Sequence, residues 1–271
     1  MIPSSVRSFF KPTYQRFSLR KFTAPTFTTL HSADITVSLN VDPTNGAVDE
    51  YIFIHHQWEE EVAQVLADHL YQGAVFIDVG ANIGAFTIPL AKKVTDTGKV
   101  ISFEPLPKLI HQVRKSLARN ELSNVTLINK ACGAEVGTQD LYVQAENIGG
   151  SSLIKKTAGG EKISLTVTTL DKELAALEKI DLIKIDVEGY ELEVLQGAEC
   201  TLRKHHPALV IEFSPSLYQP RSETMSLDIL QLLITLGYRI WEIERGFYVD
   251  DVSGYLEEIG SNQVNILCTT S

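Results

Sequence analysis

The chain alternates apolar runs of strand length with segments whose apolar positions recur every three or four residues. Ala74–Val79, Val100–Glu104, Val125–Asn129, Leu182–Asp186, Ala208–Phe213, Tyr238–Ile243 and Gln263–Thr269 read as strands. Between them the spacing predicts helices from about Ile83 to Val94, Pro107 to Asn120, Tyr190 to Lys204 and Ser226 to Leu236. Near-continuous apolar strands separated by helices imply a parallel sheet covered on both faces, since right-handed crossovers place the helices there. The fold class is therefore α/β, a doubly wound, Rossmann-like domain. No helical pattern joins the last two runs, so a loop is expected there, with the final strand antiparallel at the end of the sheet.

Ahead of this core, a helix is predicted from Glu59-Glu60-Glu61, with Val62, Val65, Leu66 and Leu70 on one face and Gly73 as its stop. Before it, Ile35–Leu39 and Tyr51–Ile54 flank the turn cluster Asp42-Pro43-Thr44-Asn45-Gly46 and predict an N-terminal β extension over 34–57. The polar stretch after Asn129 reads as an inserted β-hairpin, with Asp140–Gln144 and Leu165–Thr169 as its arms. Asn147-Ile148-Gly149-Gly150-Ser151-Ser152 lies between the arms, as a glycine turn or a lid over the site. No linker-like break falls between Asp34 and Ser271, and 58–271 reads as one catalytic domain.

The 271 residues carry a net charge of −10, which opposes a phosphate backbone and argues against a nucleic-acid partner. Residues 1–33 contain no acid and five cations, Arg7, Lys11, Arg16, Arg20 and Lys21. With Phe9, Phe10, Tyr14 and Phe17 between them, this basic arm suits a covering segment, a membrane surface or a transit signal. No apolar run has the length of a spanning helix, and Cys132, Cys200 and Cys268 form no paired motif. A cytoplasmic protein is expected.

The candidate chemistry begins at the end of the first core strand, in Asp78-Val79-Gly80-Ala81-Asn82-Ile83-Gly84. Gly80 and Gly84 allow a tight turn and close approach to a ligand, Asn82 tolerates a left-handed conformation, and a helix N-terminus follows. Glu104 ends the next strand 20 residues after Gly84, where a carboxylate can take both hydroxyls of a ribose. A dinucleotide fingerprint would read G-x-G-x-x-G, whereas here Asn82 and Ala85 replace two glycines. A carboxylate such as Asp78 suits the ammonium of S-adenosylmethionine, and a nicotinamide dinucleotide is the alternative.

FIDVGANIGAFTIPLA (Phe76–Ala91), ISFEPLP (Ile101–Pro107), NIGGSSL (Asn147–Leu153), TTLD (Thr168–Asp171) and DLIKIDVEGYELEVLQGA (Asp181–Ala198) together resemble the FkbM-type methyltransferases. The resemblance covers about Trp58 to Pro215. It implies S-adenosylmethionine-dependent O-methyl transfer on a seven-stranded class I methyltransferase fold, with sugar or macrolide hydroxyls as acceptors. Asp78, Gly80, Asn82 and Gly84 match its cofactor loop, Glu104 its ribose acid and Ala131 the place where the adenine passes. Trp58-Glu59 matches an aromatic-acid pair near the methionine end. A non-catalytic module binding S-adenosylmethionine or a carbohydrate, and an NAD(P)-dependent oxidoreductase, are the rival readings.

Methyl transfer to a hydroxyl needs a proton acceptor aligned with the displacement. Asp186 and Glu188, two apart at the end of a strand, are expected on one side of it and are the candidate bases. Glu212 ends the next strand and joins them. Three acids suit a hard cation, but no compact ligand motif supports one and no metal is assigned. His55 and His56 are secondary candidates for the base, whereas His205 and His206 sit where a helix dipole is complemented.

Overall fold

The computed structural model describes residues 25–143, 161–218, 221–222 and 224–270. In chain order the elements are β1 (Thr26–Ser32), β2 (Ile35–Val41), α1 (Ala47–His55), α2 (Glu60–Asp68), β3 (Val75–Val79), α3 (Thr87–Val94), β4 (Lys99–Phe103), α4 (Pro107–Arg119), β5 (Val125–Ile128), β6 (Ala131–Cys132), β7 (Gly137–Val143), β8 (Glu161–Thr168), α5 (Leu170–Leu174), β9 (Leu182–Ile185), α6 (Glu191–Gln196), α7 (Glu199–His205), β10 (Ala208–Phe213), α8 (Pro215–Tyr218), α9 (Met225–Thr235), β11 (Tyr238–Glu242), β12 (Phe247–Tyr248), α10 (Val252–Ile259) and β13 (Val264–Thr270).

The main sheet runs β12-β11-β13-β10-β9-β3-β4-β5, with β5, β4, β3, β9 and β10 mutually parallel. Seven of its strands follow the class I methyltransferase order, and the two-residue β12 adds an eighth at one edge. Alternation along each strand divides the interior. Ile77, Ile101, Ile183 and Ile211 enter one core with α6, α7 and α9, while Phe76, Val100, Leu182 and Val210 enter the other with α2 and α3. The chain leaves β3 towards β4 and β5 on one side, and returns through β9 to β10 on the other. The carboxyl ends of β3 and β9 thus form the switch point at which open α/β sheets bind ligands.

Several sequence expectations change. The final strand β13 is antiparallel, but it is wedged between β10 and β11 rather than at the sheet's end. The connection to it holds a helix, α10, whose Asp251 side chain accepts from Gly254 N (3.1 Å) and whose Tyr255 and Ile259 are buried. Tyr51–Ile54 is not a strand. It lies in α1, which turns Ile52 and Asp49 inward and leaves Ile54 exposed. The strand pairing with Ile35–Val41 is instead Thr26–Ser32, which begins inside the stretch assigned to the arm. The helix expected over Tyr190–Lys204 is two helices, because Asp171 caps the second: its carboxylate accepts from Thr201 N (2.7 Å) and Cys200 N (3.1 Å). The inserted hairpin is present as β7 and β8, joined by β6 in a three-stranded sheet, while Asn147–Ser152 lies outside the described residues.

The β1–β2 pair and α1 pack Leu30, Val37, Leu39 and Ile52 against Ile83, Ile88, Leu109 and Val113. Polar contacts fix the register of this extension on α4. Asn120 exchanges bonds with the Ser38 backbone (2.9 and 2.6 Å), and Ser116 Oγ accepts from Asn40 N (2.8 Å). Ile83 lies within the loop after β3, so the extension buttresses that loop from outside.

Candidate active site

The loop after β3 is built by internal hydrogen bonds. Gly80 N and Ala81 N both donate to the Phe103 carbonyl (3.0 Å each), Asn82 N to Glu104 Oε2 (3.0 Å) and Gly84 N to the Ala81 carbonyl (2.8 Å). These four N–H groups are therefore spent, and α3 begins only at Thr87, later than the apolar spacing predicted. The expected display of free N–H groups is not made by these four residues. Asn82 adopts the left-handed conformation (φ 50°), as its residue type permits. Gly80, at φ 87°, has a different reason to be glycine: a Cβ there would sit 1.8 Å from the Asp186 carbonyl oxygen. Its bare backbone accommodates the neighbouring strand end.

Asp78 is buried. Its Oδ2 accepts from Thr87 Oγ1 (2.5 Å), which also meets Ser102 Oγ (2.9 Å), and its Oδ1 has no hydrogen-bond partner among the described residues. Burial pushes its carboxyl up, against the opposing pull of Lys184 and Thr87. Glu104 is held by two donors, Asn82 N and Leu106 N (2.8 Å), yet burial raises it to about 7. Asn129 steadies this corner by donating to the carbonyls of Glu104 (2.9 Å) and Pro105 (2.8 Å). Ala131, buried, opens β6 just beyond.

On the opposite side of the switch point, β9 ends at Ile185 and Asp186 N donates to the Val79 carbonyl (3.0 Å). Asp186 and Glu188 do come together with Glu212, and one carboxylate oxygen from each lies within 4.8 Å of the others. A turn brings them there, not the pleat of an extended strand, because Glu188 (φ 53°) and Gly189 (φ 99°) are left-handed. Two residues that sequence reasoning missed hold this turn. Glu191 Oε1 accepts from Val187 N and Gly189 N (3.2 Å each), and Arg221 donates to the Gly189 carbonyl (3.0 Å) while pairing with Glu193. Glu191 is buried, and its carboxyl is pushed up to about 7 by desolvation. Lys184 donates to Asp186 Oδ2 (2.9 Å), and Gln263 to Glu212.

Among known proteins, the methyltransferase FkbM domain matches residues 78–240, more than half of the chain. The chain belongs to the FkbM methyltransferase family. Methyltransferase sdnD of Sordaria araneosa is 29% identical over 61% of this chain and 78% of its own length. The hexuronic acid methyltransferase AglP of Haloferax volcanii is 28% identical over 51% of this chain, which spans only 56% of that relative. The crystal structure of an FkbM methyltransferase from Methylobacillus flagellatus KT is 19% identical over 73% of this chain and 44% of that one, with a TM-score of 0.46.

This FkbM methyltransferase uses S-adenosylmethionine, and the nicotinamide alternative is set aside. The residues present fit the cofactor: Asp78 Oδ1 and Asn82 Oδ1 are buried acceptors without partners among the described residues, suited to ammonium and hydroxyl donors. The histidine candidates have other partners. His56 Nδ1 lies 3.0 Å from Thr28 Oγ1 and 3.1 Å from the Thr29 carbonyl, pinning β1, and His55 is exposed beside Tyr51. His205 ends α7, as its place in the last turn predicts. No described helix is long and apolar enough to cross a membrane.

Proposed function

We propose that this methyltransferase moves the methyl group of S-adenosylmethionine to a hydroxyl oxygen of a saccharide or glycosylated small molecule. The observation that carries the reading is the convergence of the Asp186, Glu188 and Glu212 carboxylates at the switch point, on the strand end that packs against Gly80 of the cofactor loop. The cofactor supplies a methyl activated by its sulfonium. The chain's task is to hold the acceptor oxygen in line and take its proton. Asp186 and Glu188 are the acids placed for that step, with Glu212 orienting the acceptor. Asp78, Gly80, Asn82, Gly84, Glu104 and Ala131 form the cofactor side. The hexuronic acid specificity in the name of AglP supports a saccharide acceptor, and the acidic net charge favours a small molecule over a polyanion.

The test is incubation with methyl-labelled S-adenosylmethionine and a panel of uronic acids, neutral sugars and glycosides, followed by mass location of the label. Label on a sugar oxygen is expected; label on carbon would replace the reading. Asp186→Asn and Glu188→Gln should keep S-adenosylhomocysteine affinity and lose transfer by about 10²-fold or more. Wild-type turnover in both would remove the proposed bases.

A further inference from the structure

A lysine in the middle of a central strand is out of place unless something pairs with it. Lys184 is 3% exposed, in β9, directly beside Asp78 in the register of β3. Its Nζ lies 2.9 Å from Asp186 Oδ2 and 4.8 Å from the centre of the Phe86 ring. Three carboxylates act on it from three parts of the chain: Asp186 after β9, Asp78 on β3 and Glu59 at the start of α2. Burial alone would lower its pKa, but these three acids reverse the direction and push it up. Two of them lie on the cofactor side of the switch point, on β3 and in the Trp58-Glu59 pair. The third stands in the acceptor mouth, among Glu188 and Glu212, with Glu191 beneath the same turn.

We propose that Lys184 is the shared counter-ion coupling the cofactor loop to the acceptor mouth, a positioning residue whose ammonium lets Asp78, Glu59 and Asp186 stand together as carboxylates. The inference rests on the reading of Asp186 as the acceptor-side acid. It makes a specific demand: without the ammonium, mutual repulsion of the acids disturbs the cofactor loop, and removing one acid relieves it. A lysine that served only to fill space would be replaced by methionine without loss, and no change at Asp186 would matter to that variant.

The test uses the full chain as Lys184→Met, Lys184→Arg, Asp186→Asn and the Lys184→Met/Asp186→Asn double variant, with S-adenosylhomocysteine affinity measured by calorimetry from pH 6 to 9. Lys184→Met should weaken binding by about tenfold or more at pH 8, with the loss shrinking towards pH 6 as a carboxyl takes up the proton that replaces the missing charge. Lys184→Arg should recover most of the affinity, and the double variant should bind better than Lys184→Met alone. Wild-type affinity in Lys184→Met, or a double variant no better than the single one, overturns the proposal. Should Lys184→Met fail to fold, a folded, binding double variant supports the coupling and an unfolded one overturns it. Methyl transfer by Asp186→Asn is scored separately: full activity there removes the base and leaves the counter-ion decided by the affinities.

Discussion

Gly80→Ala tests the link between the two halves of the site. The added methyl carbon would stand 1.8 Å from the Asp186 carbonyl oxygen and 2.9 Å from its carbonyl carbon. Ordinary contact between heavy atoms is about 3.5 Å, so the β3 and β9 ends must part by about 1.7 Å. The φ of 87° adds a backbone penalty of about 1–2 kcal/mol for a residue with a Cβ. The bond from Asp186 N to the Val79 carbonyl then lengthens or breaks, and the Asp186–Gly189 turn shifts with it. Misplacement of a reacting group by about 1 Å costs about 10²-fold in rate, so the rate constant for transfer should fall by that factor or more. Single-turnover transfer with labelled cofactor measures it, and thermal unfolding checks that the domain remains folded. Gly137→Ala is the control, since nothing lies within 4 Å of a Cβ there. Transfer by Gly80→Ala within threefold of wild type, at unchanged thermal midpoint, would refute the reasoning.

Glu191→Gln should change the pH dependence of stability. The Glu191 carboxyl is raised from 4.5 to about 7, so the folded state keeps its proton while the unfolded chain ionises, and stability falls as pH rises from about 4.5 to 7. The amide removes that loss: the variant should match wild type near pH 4 and be more stable by about 3 kcal/mol at pH 8, read by denaturant unfolding. Parallel curves would refute it. Exhaustive chelation should leave transfer within twofold of the untreated enzyme; a loss restored by Mg²⁺ would give Asp186, Glu188 and Glu212 a different role. Asn120→Ala removes both bonds to the Ser38 backbone and should destabilise the protein by about 2 kcal/mol, with faster hydrogen exchange in β2.

The parallel strands were legible because burial on both faces writes them as continuous apolar runs. Tyr51–Ile54 was not, since four apolar residues fit a helix face and a strand equally well, and only the inward turn of Ile52 and Asp49 decides. The place of β13 between β10 and β11 leaves no mark on its own residues, because strand order is a tertiary property. In the site, Asp78, Gly80, Asn82 and Glu104 stood out by spacing, yet Gly80 proves to answer to Asp186, far along the chain. Glu191 and Asp171 were hidden as ordinary acids on or near helices. Lys184 was hidden differently: nothing local in Leu-Ile-Lys-Ile tells that the cation is buried, because the acids that hold it come from β3 and the start of α2 as well as from Asp186.

The attachment of the N-terminal strands to α4 also governs the order in which the chain can assemble. Ser38 and Asn40 are bound by Asn120 and Ser116, so their partners leave the ribosome some eighty residues after they do. Until then Leu30, Val37 and Leu39 lack the part of their cover that Leu109 and Val113 supply, and contacts so remote in sequence form slowly. During synthesis this hairpin thus keeps part of its apolar face uncovered, the kind of segment from which misassembly starts. Its docking dries the outer face of the cofactor loop around Ile83 and Ile88. The outer support of that loop therefore depends on a closure between segments about eighty residues apart, and the central sheet does not supply it by itself.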